Sequence, residues 1–306
     1  MFDIVGKKFW FFLISGVVIL IGIVSLATFG LKAGIEFSSG SMMRISFEQE
    51  VDQGELRQEL ANLGYANAIV QSTEEGDFYI RTGNLSKEEK TLLENALIAR
   101  FGNLEETEFY SVSPMVAAET AYNAAIAVAV AAVGILLYVT WAFRRMPSPF
   151  RYGTCAIIAL VHDVLVVLGI FSILGGILGW EVNLMFITGV LAVIGYSVND
   201  TVVIFDRIRE NLTKGVSSSF EIVVNNSLVE TLGRSLNTSL TTLIAVLALL
   251  LFVGASIQNF AVVLLVGIVT GTYSSICTAA PLLVVWEKGE WGRFIQWLPV
   301  AKAKGR

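Results

Sequence analysis

Residues 9–29 read FWFFLISGVVILIGIVSLATF, a run of 21 residues that contains no charged side chain. About 20 consecutive apolar residues are enough for a helix to cross the hydrocarbon core of a bilayer. No small-residue cleavage site ends the run, so it predicts a retained membrane anchor and not a signal peptide. Further apolar runs of spanning length lie at residues 121–143, 153–178, 184–205, 236–253 and 260–286. The sequence therefore predicts a polytopic α-helical membrane protein with six transmembrane helices.

The composition of the 306 residues excludes several classes of protein. Apolar types make up 55% of the chain and charged types 15%, whereas soluble domains carry about 25% charged residues. The formal net charge of -5 argues against a nucleic-acid-binding protein, which needs a basic surface. Cys155 and Cys277 lie in apolar runs, and His162 is the single histidine. We therefore expect no disulfide framework, no metal site and no cofactor.

The placement of Lys and Arg predicts the orientation in the membrane. Fourteen of the 21 basic residues lie on the side of the two termini, and the other seven lie in the long segment after the first run. The short connections at 179–183 and 255–259 contain no basic residue. Because short cytoplasmic loops collect Lys and Arg, both termini are predicted to be cytoplasmic.

The long segment between the first two runs predicts a small extracytoplasmic domain. Its residues 31–115 contain 15 acidic and seven basic side chains, a bias that indicates either ordinary solvation or contact with an unfolded or basic client. Alternating apolar residues predict strands, and Ser86 with Glu89 has the spacing of a capping box. The predicted elements are, in order, a strand at 42–47, a helix at 52–63, strands at 68–72 and 78–81, a helix at 86–101 and a strand at 107–112. This order is that of a ferredoxin-like α+β domain.

These predictions divide the chain into four parts. Residues 1–30 are predicted to form the cytoplasmic N-terminus and the first helix, and residues 31–117 the ferredoxin-like domain. Residues 118–286 are predicted to form the remaining five helices, and residues 287–306 a basic cytoplasmic tail.

Few ionisable side chains lie within the apolar runs, where burying them is costly. His162 and Asp163 lie near the middle of the third run, where both a packing and a functional role are open. As neighbours on a helix, their side chains are expected to diverge. Asn199 and Asp200 lie several residues inside the fourth run, and Asp200 is the first functional candidate. Arg234 at the edge of the fifth run is either functional or a snorkelling side chain.

The fifth run carries a polar stripe at helical spacing. Its members share one helix face and are Arg234, Asn237, Thr238, Thr241 and Thr242. Lipid cannot satisfy these groups, so the stripe is expected to face other helices, in interhelical hydrogen bonds or along a water path.

The sixth run contains small residues at a spacing that permits close helix contact. Gly267, Gly271 and Ser275 are four residues apart, which predicts helix packing. In the fourth run, Tyr196 and Asp200 share a face. We therefore expect inward faces of the fourth, fifth and sixth helices to converge on Asp200.

Two classes of membrane enzyme are excluded by detail. Asp163 and Asp200 on neighbouring runs are arranged as in intramembrane aspartyl proteases, but Val198 and Asn199 precede Asp200 where those enzymes have Gly-x-Gly-Asp. The sequence contains neither Gly-x-Ser-x-Gly nor His-Glu-x-x-His. We therefore expect a protein that is not an enzyme.

Four segments resemble the SecF family of protein-export membrane subunits, which belongs to the resistance-nodulation-division superfamily. Residues 194–211 (IGYSVNDTVVIFDRIREN) are similar to the family's fourth-span signature. Residues 230–239 (ETLGRSLNTS) and 161–163 (VHD) resemble its fifth-span and third-span motifs. Residues 34–40 (GIEFSSG) resemble the start of its outer domain, where the family usually has Asp and a Gly-Gly pair instead of Glu36 and Ser39-Gly40.

The resemblance implies a role late in protein export. Family members act with SecD, a related six-span protein, at the SecYEG channel in the bacterial cytoplasmic (inner) membrane. They use the proton-motive force to complete the export of unfolded preproteins. The resemblance therefore implies protons as the coupling ion and the lipid bilayer and preproteins as partners, and it implies no nucleic-acid partner. Asp200 and Arg234 match the family's proton-pathway positions. The same pathway is expected to include Asn199, Thr238, Asp163 and His162.

An Asp/Arg proton switch is physically reasonable. Burial disfavours a charged carboxylate, whereas a nearby Arg favours it. A charged Asp200 is expected to hold Arg234 by a charge-assisted bond, and protonation is expected to release it so that helices repack. Two alternatives stay open: a proton-driven exporter of a lipid or small hydrophobe, and a passive assembly scaffold. The exporter is disfavoured because six spans with one small outer domain leave little room for a closed ligand chamber. The scaffold is distinguished by a measurement of proton flux, because a scaffold moves no protons.

Overall fold

The computed structural model describes residues 3–73, 76–252 and 257–291. These form two compact units, one of Ala33–Ile126 and one of Met1–Lys32 with Ala127–Arg306. The first unit extends past residue 117 because it includes the first turns of a long helix that begins at Pro114. Most of the basic tail predicted at 287–306 lies outside the described residues.

The helices and strands are numbered along the chain. The helices are α1 (Lys8–Phe29), α2 (Ile35–Ser38), α3 (Gln53–Asn62), α4 (Lys87–Phe101), α5 (Pro114–Ala142), α6 (Pro149–Leu178), α7 (Leu184–Thr213), α8 (Phe220–Phe252), α9 (Gln258–Ser274) and α10 (Ala280–Lys288). The strands are β1 (Gly40–Phe47), β2 (Ile69–Ser72), β3 (Phe78–Thr82) and β4 (Leu104–Val112).

Within the described residues, six helical segments are long and apolar enough to cross a membrane, which confirms the six predicted spans. They are Val5–Phe29, Pro114–Ala142, Pro149–Leu178, Leu184–Thr213, Phe220–Phe252 and Gln258–Lys288. The helices are longer than the apolar runs because helical hydrogen bonding continues into polar sequence; α8 begins at Phe220, well before residue 236. The predicted end of the fifth span at 253 and start of the following connection at 255 lie outside the described residues.

The unit Ala33–Ile126 has the predicted ferredoxin-like topology. Its four antiparallel strands are in the order β2-β3-β1-β4, with α3 after β1 and α4 after β3. Met43 and Ile80 point from the sheet into the core and pack with Leu97 of α4. Ser86 and Glu89 form the predicted capping box at the start of α4.

The segment before β1 requires unusual backbone conformations. Ile35–Ser38 form a short helix that was not predicted from the sequence. Ser39 has a φ of 63° and Gly40 a φ of 134°, both in the region that favours glycine. A Cβ at Gly40 would lie 2.7 Å from the carbonyl oxygen of Thr82, so the close approach of β3 requires glycine there.

In the membrane unit, helices pack closely through small residues. A Cβ at Gly271 would lie 2.9 Å from the Cβ of Ser197, and a Cβ at Gly267 would overlap the side chain of Val193. Both glycines therefore lie where α9 contacts α7. Helix α1 approaches α6 in the same way, since a Cβ at Gly169 would lie 2.6 Å from a backbone Cα of α1. The missing side chains allow the backbones to come together.

The sixth span is interrupted by a π-helical turn at Ser275–Ala279, between α9 and α10. Pro281 follows at the start of α10. It has no N–H to bond to the preceding turn, and its ring crowds the carbonyl of residue 277. The wider π turn lies directly before this helix start, and such turns are frequent at functional sites.

Candidate functional site

Asp163 lies at the centre of a buried hydrogen-bond network. Its side chain is 1% exposed. Oδ2 accepts hydrogen bonds from Ser197 Oγ of α7 at 2.6 Å and from Ser274 Oγ of α9 at 2.8 Å. Because Asp163 itself belongs to α6, one carboxyl group joins three membrane helices. The hydroxyl donors compensate for removing this group from water.

His162 contacts the other oxygen of the same carboxyl group. Its Nδ1 lies 3.0 Å from Asp163 Oδ1, so the expectation that the two neighbouring side chains diverge is wrong. The short Asp side chain turns back towards the ring beside it. The imidazole also stacks on Tyr273 of α9 with ring centroids 6.1 Å apart. The hydroxyl of Tyr273 donates to the carbonyl oxygen of Phe11 at 2.8 Å, which connects this pair to α1.

Asp200 of α7 has a different environment. Its Oδ1 accepts a hydrogen bond from Ser235 Oγ of α8 at 2.5 Å. Its Oδ2 is buried and has no hydrogen-bond partner among the residues that the structure describes. A buried polar atom without a partner is costly, so this oxygen is poised to gain a proton or a donor. Both oxygens of Asp163 have hydrogen-bond partners, whereas one oxygen of Asp200 has none among the described residues.

The polar stripe of α8 does not face the other helices of this chain, contrary to the prediction. Its members Arg234, Asn237, Thr238 and Thr241 are exposed, and Thr242 is half-buried. The threonine hydroxyls bond within their own helix; Thr238 Oγ1 donates to the carbonyl oxygen of Arg234 at 2.9 Å. Since such back-bonding satisfies a hydroxyl without a neighbouring helix, threonines did not have to point inward.

Arg234 forms no ion pair with Asp200 or with any other acidic residue that the structure describes. The expected charge-assisted bond is replaced here by the hydrogen bond from Ser235, the next residue along α8. Arg234 and Asn199 are both exposed, each beside one member of the Asp200–Ser235 pair. This pair therefore lies at the border between the buried interior and the exposed polar face.

Hydroxyl groups form further contacts between these helices, and the sequence analysis named only Tyr196 and Ser275 among them. Ser239 Oγ lies 2.5 Å from Thr272 Oγ1 and accepts a hydrogen bond from the hydroxyl of Tyr196 at 3.1 Å. Ser275 Oγ lies 2.7 Å from Thr201 Oγ1. No hydroxyl of α9 or of the π turn bonds to Asp200 in the described part of the chain, so the expected convergence of three faces on Asp200 is wrong.

A sequence signal for the buried face of α8 exists. Thr231, Ser235 and Ser239 recur every four residues and are all buried. This series is as regular as the exposed stripe, but it contains no charged residue. The charge of Arg234 marks the opposite, exposed face of the helix.

Comparisons with known proteins place these residues in a family. A family profile described as "Protein export membrane protein SecD/SecF, C-terminal" matches residues 93–289, which include Asp163, Asp200 and Arg234. A second, described as "SecD/SecF GG Motif", matches residues 24–51. That range contains the left-handed backbone at Ser39 and Gly40.

Similar proteins are known in sequence and in structure. The protein translocase subunit SecF of Thermobaculum terrenum is 46% identical, and the alignment covers 97% of each chain. The SecF of Anaerolinea thermophila is 42% identical over 95% of this chain and 96% of its own. The crystal structure of SecDF from Thermus thermophilus, described as a translocon-associated membrane protein, matches with a TM-score of 0.82 and 32% identity. That match covers 94% of this chain and only 39% of the longer SecDF chain.

Proposed function

The chain belongs to the SecF family of protein translocase subunits, and on that basis we propose that it uses the proton-motive force in protein export. In this proposal it works with SecD at the SecYEG channel and completes the export of unfolded preproteins. Asp200 carries the proton. The observation that supports this role is the buried, unpartnered Oδ2 of Asp200, whose other oxygen is bonded to α8. The decisive experiment measures gradient-dependent export by an Asp200→Asn variant.

The proposed switch is a change of hydrogen-bond partner between α7 and α8. An ionised Asp200 accepts hydrogen bonds at both oxygens, from Ser235 and from a cationic donor such as Arg234. A protonated Asp200 becomes a donor at one oxygen and no longer attracts the guanidinium. Moving one charge through 100 mV supplies roughly 2.3 kcal/mol, which is enough to bias such a two-state contact.

Asp163 and His162 are assigned a positioning role in this proposal. The hydrogen bonds to Asp163 hold α6, α7 and α9 together around a fixed centre. Helix α8 contacts α7 through Asp200–Ser235 and Tyr196–Ser239, and the first of these contacts is the one that a proton would change. Asn199 and Thr238 lie exposed beside the switch, where they line the proton's route along the surface that a partner covers.

The exposed polar face of α8 supports SecD as that partner. Arg234 and Asn237 make no side-chain hydrogen bond or ion pair to any residue that the structure describes. Polar side chains at membrane depth pair with other protein groups and do not face lipid. A relative from Bacillus subtilis, of which this chain covers 38%, is named protein translocase subunit SecDF. The proposal places SecD against this face.

A photo-crosslinking residue at position 241 is therefore expected to form an adduct with SecD in native membranes. The control is the same crosslinking residue at position 17. Val17 is 48% exposed on α1 and does not belong to the polar stripe. SecD and its adduct are detected by immunoblotting. Lipid adducts alone at position 241, or equal SecD adducts at both positions, would contradict the assignment of this face.

We also propose that the chain lies in the bacterial cytoplasmic membrane with both termini in the cytoplasm. A single cysteine at Ser218, in the exposed connection between α7 and α8, is expected to react with a membrane-impermeant maleimide only after lysis. A single cysteine at Glu181, between α6 and α7, is expected to react in intact cells with a permeable outer envelope. Both variants carry Cys155→Ala and Cys277→Ala. Labelling of position 218 from outside would refute this orientation.

A further inference from the structure

A long apolar groove lies on the outside of the membrane unit, where α8 and the sixth span meet the N-terminal turn. Its volume is about 660 Å³. Leucines of α8 form one wall, and α1 closes one side. The lining includes Leu232, Leu236, Leu240, Leu243, Tyr273 and Phe11.

The dimensions of the groove indicate what can fill it. The wall from Leu232 to Leu243 is about 16 Å long at 1.5 Å per residue, which is about half of the ~30 Å hydrocarbon core. The groove therefore has the length of one leaflet. A hydrocarbon chain from one leaflet matches this length and the almost wholly apolar lining.

A basic residue lies at the end of the groove near the terminus. Ile4 lines this end, and its backbone N–H donates to Asn225 Oδ1 at 2.9 Å. Lys7, one helical turn before Phe11, is exposed and forms no ion pair with any residue that the structure describes. The adjacent Lys8 is buried and held by Glu221 at 3.1 Å. Lys7 is thus free to bind an anion at the membrane surface above the groove.

We propose that the groove binds an acyl chain of an anionic phospholipid from the leaflet on the side of the termini, with the lipid phosphate at Lys7. The apolar lining, the length of one leaflet and the free ammonium group together match this ligand. The groove lies close to the Asp200 contact of α8. Ser239 in its lining is one helical turn from Ser235, which donates a hydrogen bond to Asp200. The inference does not depend on the proposed proton switch, since its test measures bound lipid and not export.

The test uses the full chain purified with SecD from vesicles of equal parts phosphatidylglycerol and phosphatidylcholine. Native mass spectrometry counts the lipids retained after detergent exchange. The expected result is one phospholipid retained at this site, with about fivefold enrichment of phosphatidylglycerol. Lys7→Gln is expected to retain a lipid but lose the enrichment; this exposed substitution does not threaten folding.

A tryptophan that fills the groove provides the second variant. Leu240→Trp is expected to reduce retention at least fivefold. The matched control is Leu247→Trp, which changes a leucine that is 44% exposed on the same helix but outside the groove. Unchanged retention in Leu240→Trp, or equal retention of the two lipids by the unaltered chain, overturns the proposal. If the chain alone retains the lipid and the complex with SecD does not, SecD occupies the groove, and the proposal is also overturned.

Discussion

An Asp200→Asn variant is expected to insert and to bind SecD normally, yet to lose all acceleration of late export by an imposed proton gradient. The amide has the shape of the carboxyl group, and its oxygen still accepts the hydrogen bond that Ser235 now donates at 2.5 Å. Its nitrogen takes the place of the unpartnered oxygen. The amide neither gains nor loses a proton in the working pH range, so its charge does not change. At 100 mV, the roughly 2.3 kcal/mol per charge corresponds to about a 50-fold bias that the variant forfeits.

The measurement is the rate at which a preprotein becomes protected from protease inside inverted vesicles, with and without the gradient. Asp200→Glu keeps the acid but moves it by one methylene, so partial acceleration is expected. Asp163→Asn is the contrasting variant, because Asp163 is fully engaged with Ser197, Ser274 and His162. It is expected to lower the stability of the bundle and to leave the remaining export dependent on the gradient.

A passive scaffold predicts the opposite order for the Asp200 variants. If Asp200 only packs, Asn is nearly neutral in export, and the larger Glu is worse. Full gradient-dependent export by Asp200→Asn in cells that lack the unaltered protein would refute the proton-carrier role. Arg234→Met is expected to fail, and Arg234→Lys to be intermediate, because Lys retains the charge but not the forked geometry of the guanidinium.

Gly271→Leu is expected to destabilise the membrane unit by about 2–6 kcal/mol. Inserted methylenes in a packed interior cost about 1–3 kcal/mol. A Cβ at this position already lies 2.9 Å from the Cβ of Ser197, so a leucine must displace α7 or α9. Displacing Ser197 also breaks its 2.6 Å hydrogen bond to Asp163, and a buried group left without its partner costs about 1–3 kcal/mol more.

The measurement is thermal unfolding of the purified chain in detergent. Gly271→Ala adds only the Cβ and is expected to cost about 1 kcal/mol. Gly16→Leu is the matched control, because a Cβ on this exposed glycine of α1 has no neighbour within 4 Å. Equal unfolding of Gly271→Leu and Gly16→Leu would show that the contact between α7 and α9 is not tightly packed.

Some parts of this protein follow from local sequence. The run 9–29 predicts a span because its length and lack of charge are themselves the physical requirement. The capping box at Ser86 and the alternation at Met43 in β1 act over a few residues, so a short window contains the whole cause. The ferredoxin-like order followed because its six elements are separated by clear changes of pattern.

The candidate site was predicted only in part. Asp163 and Asp200 were found because a carboxylate in an apolar run is rare and costly. Their partners were not, because serine and threonine occur on every face of these helices and bond equally well to their own backbone. The adjacent His162 and Asp163 bond to each other through rotamers that helical spacing does not fix.

The sequence alone determined that six helices cross a membrane, that one small α+β domain interrupts them and that acidic groups lie at membrane depth. These properties depend on hydropathy, periodicity and charge, which are local. Tertiary structure decided which face of each helix is buried. It gave both oxygens of Asp163 partners, left one oxygen of Asp200 without a partner among the described residues, and turned Arg234 outward. Those outcomes depend on how α6, α7, α8 and α9 rotate to fill the interior, and several helices must pack at once before any of them is fixed.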